Sequence, residues 1–340
     1  IILANMLCYM PTLGLSNTVA FTNIKDRNDF PALRVWGTIG WIVAGLVVGG
    51  LGMSSSPKIF IMAGAAGVLL GLLCFALPKT PPPSRDKPIS IGTLFMVDAL
   101  KLMTSIPFAV FIICSMLVCI PLAYYYAYTA VYLPQIGFQA TASTMALGQI
   151  SEIFFMLLVP FFFRKLGVKV MILIGMLGWV ARYALFAMGA PDQVVWMILA
   201  GVILHGVCYD FFFVTGFMYT DNKAPKEVRG QAQALLVFFT QGLGMFFGYW
   251  IAEIKFEALR QQSDALSAAI ETTTFGFWES FGKMFLAQKP EVDASITQAA
   301  MEGWKTFWMF PCFMAFAIAL VFAITFWDKY KEEDPNNPVQ

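Results

Sequence analysis

Residues 143–163 read STMALGQISEIFFMLLVPFFF. As a helix rising about 1.5 Å per residue, this run crosses the roughly 30 Å hydrocarbon core of a bilayer. One carboxylate, Glu152, interrupts it well inside the span, with the amide of Gln149 three residues earlier on the same helical face. An ionisable side chain at that depth is expensive, and its default reading is functional. The plainer alternative is a structural pair bonded to a neighbouring helix.

Further runs of the same kind lie on both sides, at 1–22, 34–53, 58–78, 107–133, 168–189, 194–219, 230–253 and 304–327. The expectation is an all-α, polytopic membrane protein with nine spans. Composition agrees: 59% of the 340 residues are hydrophobic and 13% charged, against about 45–50% and about 25% in soluble domains. The 33 Phe and 9 Trp suit a lipid-facing surface with aromatic belts. A net charge of +1 gives no ground for a nucleic-acid partner. The sequence carries no P-loop, dinucleotide fingerprint or metal-ligand spacing of His and Cys, so no cofactor or metal is expected. It shows no nucleophile–base pair, which argues against an enzyme. Cys8, Cys74, Cys114, Cys119, Cys208 and Cys312 all lie in apolar stretches and read as buried free thiols.

Cations recur on every second connector. They fall in 23–34 (Lys25, Arg27, Arg34), 79–106 (Lys79, Arg85, Lys87, Lys101), 164–169 (Arg164, Lys165, Lys169), 221–229 (Lys223, Lys226, Arg229) and the tail (Lys329, Lys331). Connectors 54–58, 134–142 and 190–193 are cation-poor. The positive-inside rule then puts the basic connectors in the cytoplasm and 254–303 outside, as a loop or an amphipathic cap. The expected organisation is a partial N-terminal half at 1–78 with three spans and a Pro-rich, semi-rigid cytoplasmic linker at 79–106. A six-helix half at 107–327 and a cytoplasmic tail at 328–340 follow. Carriers built from parallel repeats have equal halves, so symmetry calls for three more spans ahead of residue 1. A weak repeat agrees: Cys8-Tyr9, a basic loop and Arg34 are echoed by Cys208-Tyr209, a basic loop and Arg229.

Inside the other spans stand Arg182, His205 and Asp210. His205 and Tyr209 share a face at i, i+4, and Asp210 is one step round. A buried carboxylate there can take up a proton outside and release it inside, where each charge moved gains about 2.3 kcal/mol per 100 mV. The structural alternatives are an Asp210–Arg182 ion pair, or Arg182 as an anchor near the outer interface. Arg34, Thr38 and Trp41 recur at i, i+4, i+7, presenting a cation, a hydroxyl and a ring able to stack on a flat ligand. Arg34 as a positive-inside anchor and Trp41 as an interfacial residue is the alternative. Gly37 and Gly40 would allow close packing beside that face. Residues 122–132, LAYYYAYTAVY, set tyrosines at every helical angle, so some line a polar interior; Tyr125 and Tyr128 are read as sharing one face.

FPALRVWGTIGW (30–41), GQISEIFFMLLVPFFFRKLGVK (148–169), HGVCYDFFFVTGFMY (205–219) and VRGQAQALL (228–236) together resemble the nucleoside:proton symporter family of the major facilitator superfamily. The likeness runs through nearly the whole chain. It implies the major facilitator fold of twelve spans in two halves, with 1–22 as the fourth helix and thus nine of twelve present. It implies that Arg34, Thr38 and Trp41 form the fifth-helix ligand face. Gln149 and Glu152 would be the eighth-helix amide and acid, and Tyr209 and Asp210 the tenth-helix aromatic–acid pair. Tyr126 and His205 join the substrate-binding set; Glu152 and Asp210 serve proton coupling. Two departures stand out: the family has amides where Ala123 and Tyr126 align, and a tyrosine where His205 stands. The implied activity is proton-coupled nucleoside uptake across a bacterial inner membrane by alternating access, by a monomer whose partners are nucleoside, protons and the bilayer. A sugar:proton symporter is the same-class alternative, and a non-transporting receptor or scaffold the different-class one.

Overall fold

The computed structural model describes residues 2–50, 57–81, 92, 96–271 and 275–328. The proline run of the 79–106 linker, most of the 54–58 connector and the tail beyond Asp328 lie outside the described residues. Every apolar run is helical: α1 (Ile2–Asn23), α2 (Phe30–Gly50), α3 (Lys58–Cys74), α4 (Ile106–Ile136), α5 (Thr141–Gly189), α6 (Val195–Lys223), α7 (Arg229–Ala269) and α8 (Ala294–Thr325). Helices α4 to α8 are long and apolar enough to cross a membrane. α5 covers two of the expected spans: at Gly167 (φ +69°, ψ 175°) the backbone leaves the helical region, and the helix resumes on the far side. Among the described residues the only β-pairing is an isolated bridge between Phe138 and Ala287.

α6 lies along both arms of α5, 141–166 and 168–189, and small residues make that approach possible. At Gly206 a Cβ would sit 2.6 Å from the Ser151 carbonyl and 2.7 Å from its Oγ. Ser151 Oγ donates to the Ile203 carbonyl at 2.7 Å and accepts from the Gly206 N–H at 2.9 Å. This contact fixes the register that brings residue 205 level with residue 152. Gly206→Ala is therefore expected to destabilise the protein by about 1–3 kcal/mol, as overpacking does, read as a drop of several degrees in the melting temperature in detergent. An unchanged melt would show that the α5–α6 contact is looser than described.

α6 and α7 each contain one widened, π-helical turn, Asp210–Val214 and Phe238–Gly244. Such turns interrupt the regular helical ladder and are frequent at functional sites. α2 packs on α5 and α1 on the start of α7, with Phe21 and Phe30 stacked at 4.2 Å across the α1–α2 corner. α3 has no buried residue and is apolar after its first residue, Lys58. In the interior, Tyr183 stacks on Trp308 and Tyr132 meets Trp304 and Trp308. Gln135 ties α4 to α7 and α8. Its amide donates to Ser263 Oγ and Ser267 Oγ at 2.8 and 2.7 Å, and its oxygen accepts from Trp304 Nε1 at 2.6 Å.

Some expectations change. The outer segment 254–303 is not a loop throughout: α7 continues to Ala269 and α8 begins at Ala294, and the stretch between them, 270–293, carries only the short helix Phe277–Gly282 among the described residues. Phe256, Leu259, Ser263 and Leu266 are buried along the extension of α7, which explains its persistence as a helix. Asp293 caps α8 by accepting from the Ser295 backbone N–H at 2.8 Å. Those bonds to Ser295 hold its carboxyl below the usual range. Cys8 and Cys74 are exposed; the other four thiols are buried, and all are free. Gly40 has nothing near enough to count as close packing, whereas Gly37 leaves room for the guanidinium of Arg34.

Candidate functional site

Glu152, 6% exposed, is the centre of a polar cluster drawn from α2, α4, α5 and α6. Thr38 Oγ1 on α2 donates to Glu152 Oε2 at 3.0 Å. His205 Nε2 on α6 lies 2.8 Å from Glu152 Oε1. Both carboxylate oxygens are therefore engaged, by groups from two different helices. A second link runs in parallel: Arg34, half-buried on α2, hydrogen-bonds Tyr209 on α6. The helix carrying Arg34 and Thr38 is thus held to the remainder of the site by two polar contacts.

Asp210 follows Tyr209 at the head of the π-helical turn. It is fully buried, and neither carboxylate oxygen has a hydrogen-bond partner among the described residues. Its electrostatic neighbours are Glu152 and Arg34. A buried carboxylate without donors is costly, so this position is held by something other than stability.

Arg182, on the second arm of α5, is also fully buried. Its Nε donates to the Gly201 carbonyl at 2.9 Å, and its guanidinium carbon lies 4.1 Å from the centre of the Tyr125 ring. It neither pairs with Asp210 nor anchors at a surface, so both structural alternatives for it are set aside. The Tyr125 ring stacks on His205 at 5.3 Å and 18°. Tyr126, 37% exposed, meets the imidazole edge-on at 6.3 Å, and Tyr209 lies 5.6 Å from it.

The structure brings Arg34, Thr38, Tyr126, Glu152, His205, Tyr209 and Asp210 together. Gln149 is half-buried close by, without a hydrogen bond to Glu152. Trp41 is not brought in: it is 66% exposed and has no ring contact with the cluster. Ala123 does not line the site either, since it is fully buried against Gly248 of α7. Tyr125 and Tyr128 do not share a neighbourhood. Tyr128 turns to Phe256 and donates to Glu253 at 2.5 Å. Two members escaped the sequence reading in these roles: Tyr125 as the ring that contacts both Arg182 and His205, and Ser151 as the lock on helix register. A serine beside Glu152, and a glycine next to His205, were the available signals.

Chemically, a carboxylate–imidazole pair with a second buried carboxylate nearby can hold and pass protons. The hydroxyl, guanidinium and half-exposed aromatic groups can bind a polar, flat ligand. Among the described residues no group of three or more His, Cys, Asp or Glu could hold a metal ion.

Comparison with known proteins finds related membrane transporters. The YegT protein of Escherichia coli (strain K12) is 36% identical over 336 residues, spanning 96% of this chain and 72% of its own length. The nucleoside permease NupG of the same organism is 31% identical over 264 residues, covering 73% of this chain and 63% of that protein. A crystal structure of the nucleoside transporter NupG, a single-substitution mutant, superposes with a TM-score of 0.66 at 25% identity, covering 94% of this chain and 74% of that one. The family model described as "Nucleoside H+ symporter" matches residues 1–332. The chain belongs to the nucleoside:proton symporter family.

Proposed function

We propose that the protein is a secondary active transporter that takes up nucleosides with protons across a bacterial inner membrane by alternating access, working as a monomer. The observation that carries this is Glu152: a buried acid whose two oxygens are held by Thr38 and His205 from two different helices. A ligand hydroxyl has the chemistry to replace Thr38 on Glu152, so binding and the α2 contact compete for one group. In this reading Gln149 and Glu152 bind ribose hydroxyls, Tyr126 and Tyr209 receive the base, and Arg34 exchanges Tyr209 for substrate. Asp210 and Glu152 carry the proton. Residues 1–78 and 107–327 act as parts of two halves, and Thr38 and Arg34 belong to the first while Glu152 and Tyr209 belong to the second.

The test is uptake of labelled uridine by cells making the full-length protein. Adenosine is expected to compete and glucose not, and a proton uncoupler is expected to abolish accumulation. Competition by glucose would favour the sugar alternative. Absence of uptake together with absence of substrate-driven alkalinisation would favour a receptor.

A further inference from the structure

His205 is the one histidine among the 340 residues. Its ring is 1% exposed, with Nε2 on Glu152 Oε1 at 2.8 Å. The other nitrogen, Nδ1, is buried and has no hydrogen-bond partner among the described residues. A neutral imidazole carries one N–H and one bare nitrogen, and an imidazolium carries two N–H groups. With Glu152 ionised, the contact at Oε1 places the N–H on Nε2 and leaves Nδ1 bare.

The charged and titratable groups around this ring come from every helix packed on it. α5 supplies Glu152 at Nε2 and, from its second arm, Arg182. α4 supplies Tyr125, whose ring contacts both Arg182 and the imidazole, and Tyr126 at the ring edge. α6 itself supplies Cys208, Tyr209 and Asp210. α2 supplies Arg34, reached through Tyr209. The arrangement is asymmetric: a fixed cation lies against the Tyr125 ring that stacks on the imidazole, and the nearest acid is already in contact with Nε2.

We propose that His205 is the entry port for the coupling proton and that the His205–Glu152 pair is where that proton rests, with Arg182 as the fixed charge that moves it on. This rests on the proton-coupled reading above. When the site opens to water on one side of the membrane, a proton binds Nδ1. The proton on Nε2 then passes along the existing hydrogen bond to Glu152 Oε1. The products are a neutral imidazole protonated on Nδ1 and a neutral carboxylic acid. One proton has entered, the pair has gone from a net charge of −1 to zero, and release to the opposite side reverses the same steps. Arg182 repels a second cation on the ring, so the positive charge does not stay on His205. Neutralising Glu152 weakens its charge-assisted bond to Thr38, which links proton arrival to separation of α2 from the site.

The experiment compares full-length wild type with His205→Gln and His205→Asn in liposomes under an imposed gradient of one pH unit. An amide can bond to Glu152 but cannot accept and hand on a proton. The readout is the steady-state ratio of internal to external uridine, which does not depend on how fast the carrier turns over. With the membrane potential clamped at zero, one proton per uridine sets that ratio at about ten for wild type. It is expected to fall to about one in either variant that still exchanges uridine across the membrane. A ratio kept near the wild-type value in such a variant overturns the proposal. If neither variant exchanges uridine, nitrogen NMR of wild type labelled with 15N-histidine decides. Nδ1 gaining a proton over the pH range in which uridine binding changes supports the proposal. A ring with constant nitrogen shifts across that range overturns it. Wild type that accumulates no uridine under the gradient would instead refute the transport reading on which the proposal stands.

Discussion

Replacing Glu152 by glutamine is expected to lower proton-driven uridine uptake about 100-fold, in the range lost when a positioned proton-transfer group is removed. The substitution isolates ionisation from shape. A glutamine amide can accept from His205 through its oxygen and donate to Thr38 through its nitrogen, so both neighbours of Glu152 keep a partner. Folding should therefore survive, and the melting temperature should stay close to that of wild type. What disappears is the capacity to gain and lose a proton between the helix that carries Thr38 and the helix that carries His205. The check is the initial rate of labelled uridine entry at a fixed pH gradient, measured across external pH. A Glu152→Gln protein with unaltered uptake and an unaltered pH profile would remove this residue from the mechanism.

Asp210→Asn should separate stability from activity. Asp210 is fully buried with two unpartnered oxygens. Burying a charged group without its hydrogen bonds costs more than the roughly 1–3 kcal/mol of a neutral one. Asparagine keeps the shape and drops the charge. The variant is expected to melt at or above the wild-type temperature while its proton-driven uptake falls about 100-fold. A merely structural carboxylate would behave the other way, losing stability and activity together. Retained uptake with a retained pH profile would leave Asp210 without a coupling role. Gains in stability at the expense of function are a recurrent mark of functional positions.

Much of the fold was legible because lipid imposes a simple demand: an exposed span must be apolar, helical and about 20 residues long. The turn at Gly167 and the starts and ends of α4 and α6 follow from that demand and from the basic connectors. The extension of α7 was missed because Lys255, Glu257 and Arg260 depress hydropathy there. The helical spacing of Phe256, Leu259, Ser263 and Leu266 still marks a buried face.

The site was legible as a set of costly residues and not as a set of contacts. Glu152, His205 and Asp210 stand out because ionisable groups rarely lie mid-span. Their mutual placement depends on how α6 registers against α5, which is fixed by Ser151 and Gly206 across residues far apart in sequence. No periodicity within one helix contains that information. Trp41 shows the related limit. Seven residues return to nearly the same helical angle as Arg34, but three residues beyond Thr38 the helix has risen about 4.5 Å, and there the ring is exposed. Tyr125 and Tyr128 diverge for the complementary reason: three steps of about 100° fall well short of a full turn, enough to send one ring to His205 and the other to Phe256.

All of this depends on buried acids exchanging protons as nucleoside moves. The sharpest measurement is external pH, recorded in weak buffer, when uridine is added to liposomes containing the full-length protein. Alkalinisation that starts with uridine and vanishes with Glu152→Gln is the predicted trace. Uridine entering at the same rate with external pH unmoved would contradict it.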